Sequence, residues 1–395
     1  MNNFILTNQQ RKYFGIEPIQ PSWEKAILED KFQSTILYFE GNVIKRQILS
    51  TDKYYKELQF DEQTIDRKIL LPKTSKGKEQ KLTNSTLDKR KPIGNYVEVS
   101  AGYLTCGNFD SQRTFYSSRW DQEQQTSKSC EDLLLEFIEN SNANHLKEIN
   151  IFSKEKRKNI KYKTGDYFRF KISRNEYGFG RILLDINKIR KQKLIDSKNG
   201  LFYLMGPPLL VQIFAYRSLD SNIEIEFLDK QPKLPSDYMM DNRIFYGEYE
   251  IIGHRNLKDD EFDFPISYGK KIDFGSDDVF LQWGLIHLEL PMKAFSKYLH
   301  IEGESFSSNP YGYYSIGYDP SYANFEIDNC LKNNGILNFS EVNHYKAKYD
   351  LRNPNNRKVK DELFKVFGLD PHKTYIENSE LTSTPLPNTI IEKIK

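Results

Sequence analysis

The glycine pair in Gly178-Phe179-Gly180 is the tightest in the chain and raises the question of a phosphate-binding loop. Such a loop needs a strand, a glycine turn and then a helix whose free N–H groups meet the anion. Here an apolar run follows the glycines with no capping residue directly after them, and Leu183 stands where the dinucleotide fingerprint has its third glycine. The pattern favours a buried strand over a phosphate loop.

Alternation on both sides of the glycines predicts a β-hairpin over residues 165–184. In the first arm Phe168, Phe170 and Ile172 fall on one face, and a polar turn follows. In the second arm the glycines alternate with larger residues. Glycines in a strand permit a sharp bend or the close approach of another group.

The residue types that usually bind metals or carry catalysis are scarce and scattered. No two of the six histidines have the spacing His-x-His or His-x-x-x-His, and the acidic run 258–265 lacks the spacing of a calcium loop. There is no Gly-x-Ser-x-Gly motif, and the three cysteines lie far apart. We therefore expect no metal, no cofactor and no catalytic residues, and we predict that the protein is not an enzyme. The histidines and cysteines concerned are His145, His254, His287, His300, His344, His372, Cys106, Cys130 and Cys330.

The charge balance gives no general argument for nucleic acid as a partner. The 395 residues include 57 Lys+Arg and 55 Asp+Glu, a formal net charge of +2. The basic stretch 67–91 is either a solvated loop or an anion-binding arm, and it has no interleaved aromatic residue for base stacking. We find neither a signal peptide nor an apolar run of the ~20 residues that a membrane helix needs, so we expect a cytoplasmic protein.

The distribution of apolar runs predicts an α+β protein of mostly antiparallel β structure in three parts. Aromatic residues make up 14% of the chain, which favours sheet. Residues 1–150 read as a β-rich N-terminal domain with a closing helix at 129–140. Residues 160–295 read as a barrel-like β domain that includes a strand at 222–227. Residues 296–395 read as a mixed region with helices at 321–335 and 355–371 and a loose tail from 377.

The central region resembles the immunity protein 26 family of bacterial polymorphic toxin systems. The resemblance rests on "GDYFRFKISRNEYGFGRILL", "PPLLVQIFAY", "GEYEIIGHR" and "FLQWGLIHLELP", and covers about residues 160–290. It implies a protein that binds and neutralises a partner toxin, although the same label is shared with a proposed phosphotriesterase. The residues at the positions of the family motif are Gly165, Asp166, Tyr177, Gly178, Gly180 and Arg181.

Two surface patterns are candidates for contact with a cognate toxin domain. Acidic clusters can dock onto a basic toxin surface, and tyrosines supply large contact area with few rotors. The alternatives are solvated loops and a tyrosine-rich packed loop. A phosphoester hydrolase or a nucleic-acid-associated module remain alternative functions. The candidate contact residues are Asp259, Asp260, Glu261, Asp263, Asp277, Asp278, Tyr311, Tyr313, Tyr314 and Tyr318.

Overall fold

A computed structural model describes residues 4–29, 34–121, 126–270, 278–291, 316–342 and 350–394. The chain divides into two compact units. Unit 1 comprises Met1–Ile160 with Tyr246–Glu248, and unit 2 comprises Lys161–Phe245 with Tyr249–Lys395. Each unit has its own hydrophobic clusters.

Unit 1 is built on an antiparallel sheet that follows the chain almost in order. The path is β1-β2-β3-β4-β7-β8-β9, and the short strands β5 and β6 extend from β4. The described strands are β1 Glu24–Glu29, β2 Ser34–Glu40, β3 Val43–Ser50, β4 Tyr54–Ile65, β5 Ile69–Leu70, β6 Gln80–Lys81, β7 Ile93–Ser100, β8 Tyr103–Asn108 and β9 Arg113–Ser117. The described helices are α1 Asn8–Arg11, α2 Asn84–Leu87, α3 Cys130–Glu139 and α4 His145–Ser153.

The helix predicted at 129–140 is confirmed as α3. The Ser129 side chain accepts a hydrogen bond from the Asp132 amide, and the Asp132 side chain accepts one from the Ser129 amide. This reciprocal capping satisfies two backbone donors that the helix itself cannot. Leu134 and Phe137 then bury the apolar face of α3 in a core with strands of the sheet.

The larger sheet of unit 2 has the order β13-β12-β11-β10-β14, and every neighbouring pair is antiparallel. Both faces are buried, because Phe168 and Phe170 belong to one hydrophobic cluster while Tyr167 and Phe179 belong to another. The strands are β10 Asp166–Lys171, β11 Tyr177–Asp185, β12 Pro208–Ser218, β13 Asp237–Met240 and β14 Glu250–His254.

The predicted hairpin is confirmed, since β10 and β11 pair with Phe168 opposite Gly180 and Phe170 opposite Gly178. A Cβ atom on Gly180 would lie 2.5 Å from the Phe168 ring, and one on Gly178 would lie 2.6 Å from the Phe170 ring. The glycines are therefore required so that each phenyl ring can lie directly over the backbone of the partner strand.

A short helix, α5 Ile186–Lys191, follows β11 just beyond the predicted hairpin. Its capping residue is Asp185, whose carboxylate accepts a hydrogen bond from the Lys188 amide at 3.0 Å. The chain's own carboxylate thus occupies the position that an anion would take at a phosphate loop, and the glycines serve ring packing instead.

The remaining described strands form a separate three-stranded sheet, β15-β16-β17. Its core is shared with C-terminal helices: the Trp283 ring centroid lies 5.3 Å from that of Phe364 and 5.2 Å from that of Tyr375. The strands are β15 Ile266–Lys270, β16 Asp278–Trp283 and β17 Ile286–Pro291. The described helices of unit 2 are α5 Ile186–Lys191, α6 Ile225–Leu228, α7 Asn242–Phe245, α8 Asn324–Lys332, α9 Arg357–Val366, α10 Tyr375–Leu381 and α11 Pro387–Ile391.

The predicted fold class is confirmed in its coarse form, a mixture of helices and mostly antiparallel sheets. Within the described ranges no sheet closes into a barrel, because β15 pairs with β16 and not with β14. The strand predicted at 222–227 is wrong: residues 222–224 form a loop, and residues 225–227 belong to α6. The division into three domains at 150–160 and 295 stays a prediction.

The C-terminal segment from residue 377, which was expected to be loose, is ordered in the structure. It holds the rest of α10 and all of α11, and Ile390 is only 2% exposed. Ile390 belongs to the same hydrophobic cluster as Trp283, so burial of apolar side chains orders this segment despite its polar composition.

We predict that Gly180→Ala destabilises unit 2 by about 1–3 kcal/mol, because the added methyl group would collide with the rings of a packed core. The matched control is Gly317→Ala, where an added Cβ meets no atom within 4 Å. Urea unfolding of both variants checks the prediction, and equal stability of the two would contradict it.

Candidate functional site

The guanidinium of Arg181 lies at the centre of a cluster of charged side chains in unit 2. Arg181 is 2% exposed. Its Nη2 donates to the backbone carbonyls of Arg255 at 2.7 Å and Asn256 at 3.3 Å, and its Nη1 lies 3.2 Å from Oε1 of Glu261. The guanidinium carbon also lies 4.7 Å from the centroid of the Tyr167 ring. A cation taken out of water is thus compensated by oxygens and by an aromatic face.

Arg255 links this centre to two acidic side chains. It donates through Nη2 and Nη1 to Glu261, at 2.5 and 3.0 Å, and through Nε to Asp229 at 2.8 Å. The Tyr167 hydroxyl donates to the other oxygen of Asp229 at 2.5 Å. We call Tyr167, Arg181, Asp229, Arg255 and Glu261 the arginine cluster. It joins β10, β11, the end of α6 and the segment after β14.

The cluster determines the ionisation of Glu261. Burial would raise the pKa of this carboxyl, but the hydrogen bonds from Arg255 and the Lys258 amide and the charge of Arg181 outweigh burial and lower the pKa to about 2. The hydrogen bond to Glu261 is the largest reason why the pKa of Arg255 is raised. Glu261 is therefore a structural anion whose charge is already neutralised within the protein.

Two further motif residues, Gly165 and Asp166, hold the start of β10 against the end of β14. Gly165 has φ +91, and a Cβ there would lie 2.4 Å from the Arg255 carbonyl oxygen. Asp166 accepts from the Lys163 amide at 2.8 Å, and its other oxygen lies 2.8 Å from Nδ1 of His254. The motif thus builds the junction on which the arginine cluster depends.

The acidic candidates for partner contact divide into engaged and unengaged groups. Glu261 pairs with two arginines, and Asp263 accepts from Arg352 and the Ser236 amide, each at 2.7 Å. Asp259 accepts from the Asn388 amide at 3.2 Å, whereas Asp260 is exposed and makes no contact within the described chain. The expectation that this whole segment is a solvated loop is wrong for Glu261 and Asp263.

The remaining candidates are only partly within the described residues. Asp278 is half-buried at the start of β16, and Tyr318 is half-buried against the cluster that contains Phe168. Asp277, Tyr311, Tyr313 and Tyr314 lie outside the described residues. The role of all these residues in toxin binding stays a prediction.

Sequence reasoning missed a groove of about 370 Å³ beside β14. We call it the isoleucine groove; it is lined by residues 221–226 together with Ile252 and Gly253. Ile223, Ile225 and Ile252 are half-buried, while Glu224 and Glu226 are exposed. The alternating isoleucines and glutamates at residues 223–226 are the only hint of the groove in the sequence, but such alternation predicts a strand.

The groove is held at both of its ends by charged residues. Arg169 donates to the Ser221 carbonyl at 2.8 Å and the Asn222 side chain at 3.1 Å, and is itself paired with Glu250. At the other end, Asp229 is bound by Tyr167 and Arg255, as described above. The groove is consequently a preformed surface and does not depend on a partner for its shape.

Two histidines of unit 2, His254 and His287, contact polar groups through both of their ring nitrogens. His254 contacts Asp166 and Asn256, at 2.8 and 3.0 Å, and His287 contacts Gln282 and Glu289, at 2.7 and 2.9 Å. Among the described residues, no three His, Cys, Asp or Glu side chains converge as metal ligands would. In the same residues, no helix is both long and apolar enough to cross a membrane.

Comparison with known proteins bears on the segment that contains this site. Residues 163–278 match the family model described as Immunity protein 26, which confirms the resemblance over that segment. The match includes the hairpin, the arginine cluster and the isoleucine groove. Searches of curated proteins and of solved structures gave no significant match.

We predict that charge reversal lowers the stability of the fold strongly at one of two neighbouring carboxylates and hardly at the other. Glu261→Lys would remove the carboxylate that Arg181 and Arg255 share, leave Asp229 as their remaining acidic partner and add a third cation, and should cost about 3–5 kcal/mol in the free energy of unfolding. Asp260→Lys changes an exposed, unengaged side chain and should stay within about 0.5 kcal/mol of wild type. Equal melting temperatures for the two variants would rule out the arginine cluster as a stabilising element.

The lowered pKa of Glu261 also predicts how stability depends on pH. The pKa is 4.5 for the unperturbed group and about 2 in the folded protein, so its contribution is fully present above pH 4.5 and is lost as the pH falls through 2. Between pH 6 and pH 3 we expect Glu261 to account for a loss of about 2 kcal/mol. Urea unfolding of wild type and Glu261→Gln at both values measures this, because the variant should lack that part of the pH dependence.

Proposed function

We propose that this chain is an immunity protein that binds one cognate bacterial toxin domain and neutralises it by occlusion, without catalysis of its own. The observation that carries the proposal is the match of residues 163–278 to the Immunity protein 26 family. A toxin that acts inside the cell has to be met there, so we place the protein in the cytoplasm.

The geometry of the matched segment supports binding more than catalysis. Its arginines are neutralised by internal carboxylates and carbonyls, and both ring nitrogens of His254 are engaged. A general base needs a free nitrogen or oxygen directed at the group that it deprotonates. What the segment offers to a partner is a rigid surface with exposed carboxylates, which suits recognition of a basic toxin.

The proposed contact surface keeps the acidic and tyrosine candidates that the sequence suggested. Of the acidic candidates that the structure describes, Asp260 is the exposed one, and its side chain makes no hydrogen bond or ion pair with the described residues. Asp259, Glu261 and Asp263 would contribute mainly by shaping the turn that presents it, because their carboxylates have internal partners.

Selection with flanking DNA tests the proposal directly. Fragments of the DNA on either side of the gene are expressed from an inducible promoter in cells with and without this protein. We expect at least one fragment that stops growth only when the protein is absent. A matched control is Phe170→Ala, which removes a ring that is 1% exposed and should unfold unit 2 at a cost of about 3–5 kcal/mol, and so abolish protection.

The outcome that contradicts the proposal is a toxic flanking fragment whose effect is unchanged by the protein, or the lack of any toxic fragment. Assay of the purified protein with nitrophenyl phosphate triesters and diesters separates the alternative. Turnover that scales with protein concentration and disappears in Phe170→Ala would instead favour a phosphoester hydrolase.

A further inference from the structure

The isoleucine groove combines three features that are available to a partner. Glu224 and Glu226 are exposed, and neither side chain makes a hydrogen bond or ion pair with the described residues. The apolar side chains between and beside them are only half-buried. Leu219, which precedes the loop, and Phe227, which lies in α6, add exposed apolar surface, with 75% and 44% of their area accessible.

The floor of the groove depends on a close contact between Ile225 and the backbone of β14. A Cβ atom on Gly253 would lie 2.7 Å from Cγ2 of Ile225. The absence of a side chain at Gly253 therefore lets the loop approach the strand, and Ile252 remains accessible beside it. The lining of the groove thus combines the half-buried Ile225 and Ile252 with the exposed Glu224 and Glu226.

The neighbouring strand is the outermost one of its sheet. In the order β13-β12-β11-β10-β14, β14 pairs with β10 on one side, and no described strand pairs with its other side. Edge strands offer backbone donors and acceptors to extended segments of other chains. Ile252 and Gly253 belong both to this edge strand and to the lining of the groove.

We infer that the isoleucine groove binds an extended cationic segment of the toxin, in which an aliphatic side chain enters between lysine or arginine residues. This inference rests on the proposed function for the identity of the partner. The aliphatic side chain would cover the isoleucines, and the cations would pair with Glu224 and Glu226. Because Arg169 and Asp229 already fix both ends of the loop, little ordering accompanies binding, which favours affinity.

The matched variants are two double charge reversals that change the net charge equally. Glu224→Lys/Glu226→Lys alters the groove. Glu139→Lys/Glu380→Lys is the control, because both residues are exposed and lie near the C-terminal ends of α3 and α10, where a cation suits the helix dipole. Thermal melting establishes that each variant is folded before binding is measured.

The first experiment pans phage-displayed random peptides on the full-length wild-type protein, and so does not require the toxin. We expect enriched peptides to carry lysine or arginine beside an aliphatic residue. Their affinity should fall about tenfold or more for Glu224→Lys/Glu226→Lys and stay unchanged for the control variant. Absence of enrichment, or equal binding to both variants, overturns the inference that the groove is a binding site.

The second experiment repeats the growth assay with the toxic fragment recovered from flanking DNA. Loss of protection by the groove variant, with full protection by the control variant, supports the assignment of the segment to the toxin. Full protection by both variants overturns that assignment. If wild type protects against no fragment, the proposed function fails, whereas the peptide experiment still decides whether the groove binds cationic segments.

Discussion

The candidate surface depends on the hydrogen bonds and the ion pair that the buried guanidinium of Arg181 makes. Removing a cation from water is costly unless oxygens surround it, and these come from the segment after β14 and from Glu261. The same carboxylate binds Arg255, which in turn binds Asp229 at the end of the groove loop. One buried charge on β11 thereby connects this strand to two segments that are distant in sequence, the end of α6 and the segment after β14.

The glycines of β11 serve the same region through packing. By leaving room for the rings of Phe168 and Phe170, they allow the hairpin to close tightly on one face. The opposite face then carries Tyr167, whose ring lies beside Arg181 and whose hydroxyl binds Asp229. Residues 167–181 thus account both for the ring packing on one side of the sheet and for the charge compensation on the other.

The parts of the fold that could be predicted are those determined by local pattern. The hairpin at 165–184 follows from period-two alternation around a polar turn, and α3 follows from its capping box and apolar face. Residues 222–227 were wrongly predicted as a strand, because their alternation of apolar and polar residues is also typical of a strand. Here isoleucines face a neighbouring strand across Gly253, and no ladder forms.

The arginine cluster could not be predicted, because its members are brought together only by the tertiary fold. Glu261 follows Arg181 by 80 residues, and nothing near either position indicates the other. The acidic turn at 259–261 accordingly looked like a solvated loop. Burial of Arg181 within a strand pattern was the one available signal, since a charged side chain on a buried strand requires partners.

Hydrogen–deuterium exchange of the protein, alone and bound to the toxic fragment identified from flanking DNA, tests the central claim most directly. We propose the surface beside β14 as the contact site. We therefore expect slower exchange on binding in peptides that cover 219–229 and 250–256, with little change in unit 1. Slower exchange confined to unit 1, with these two peptides unaffected, would contradict this proposal.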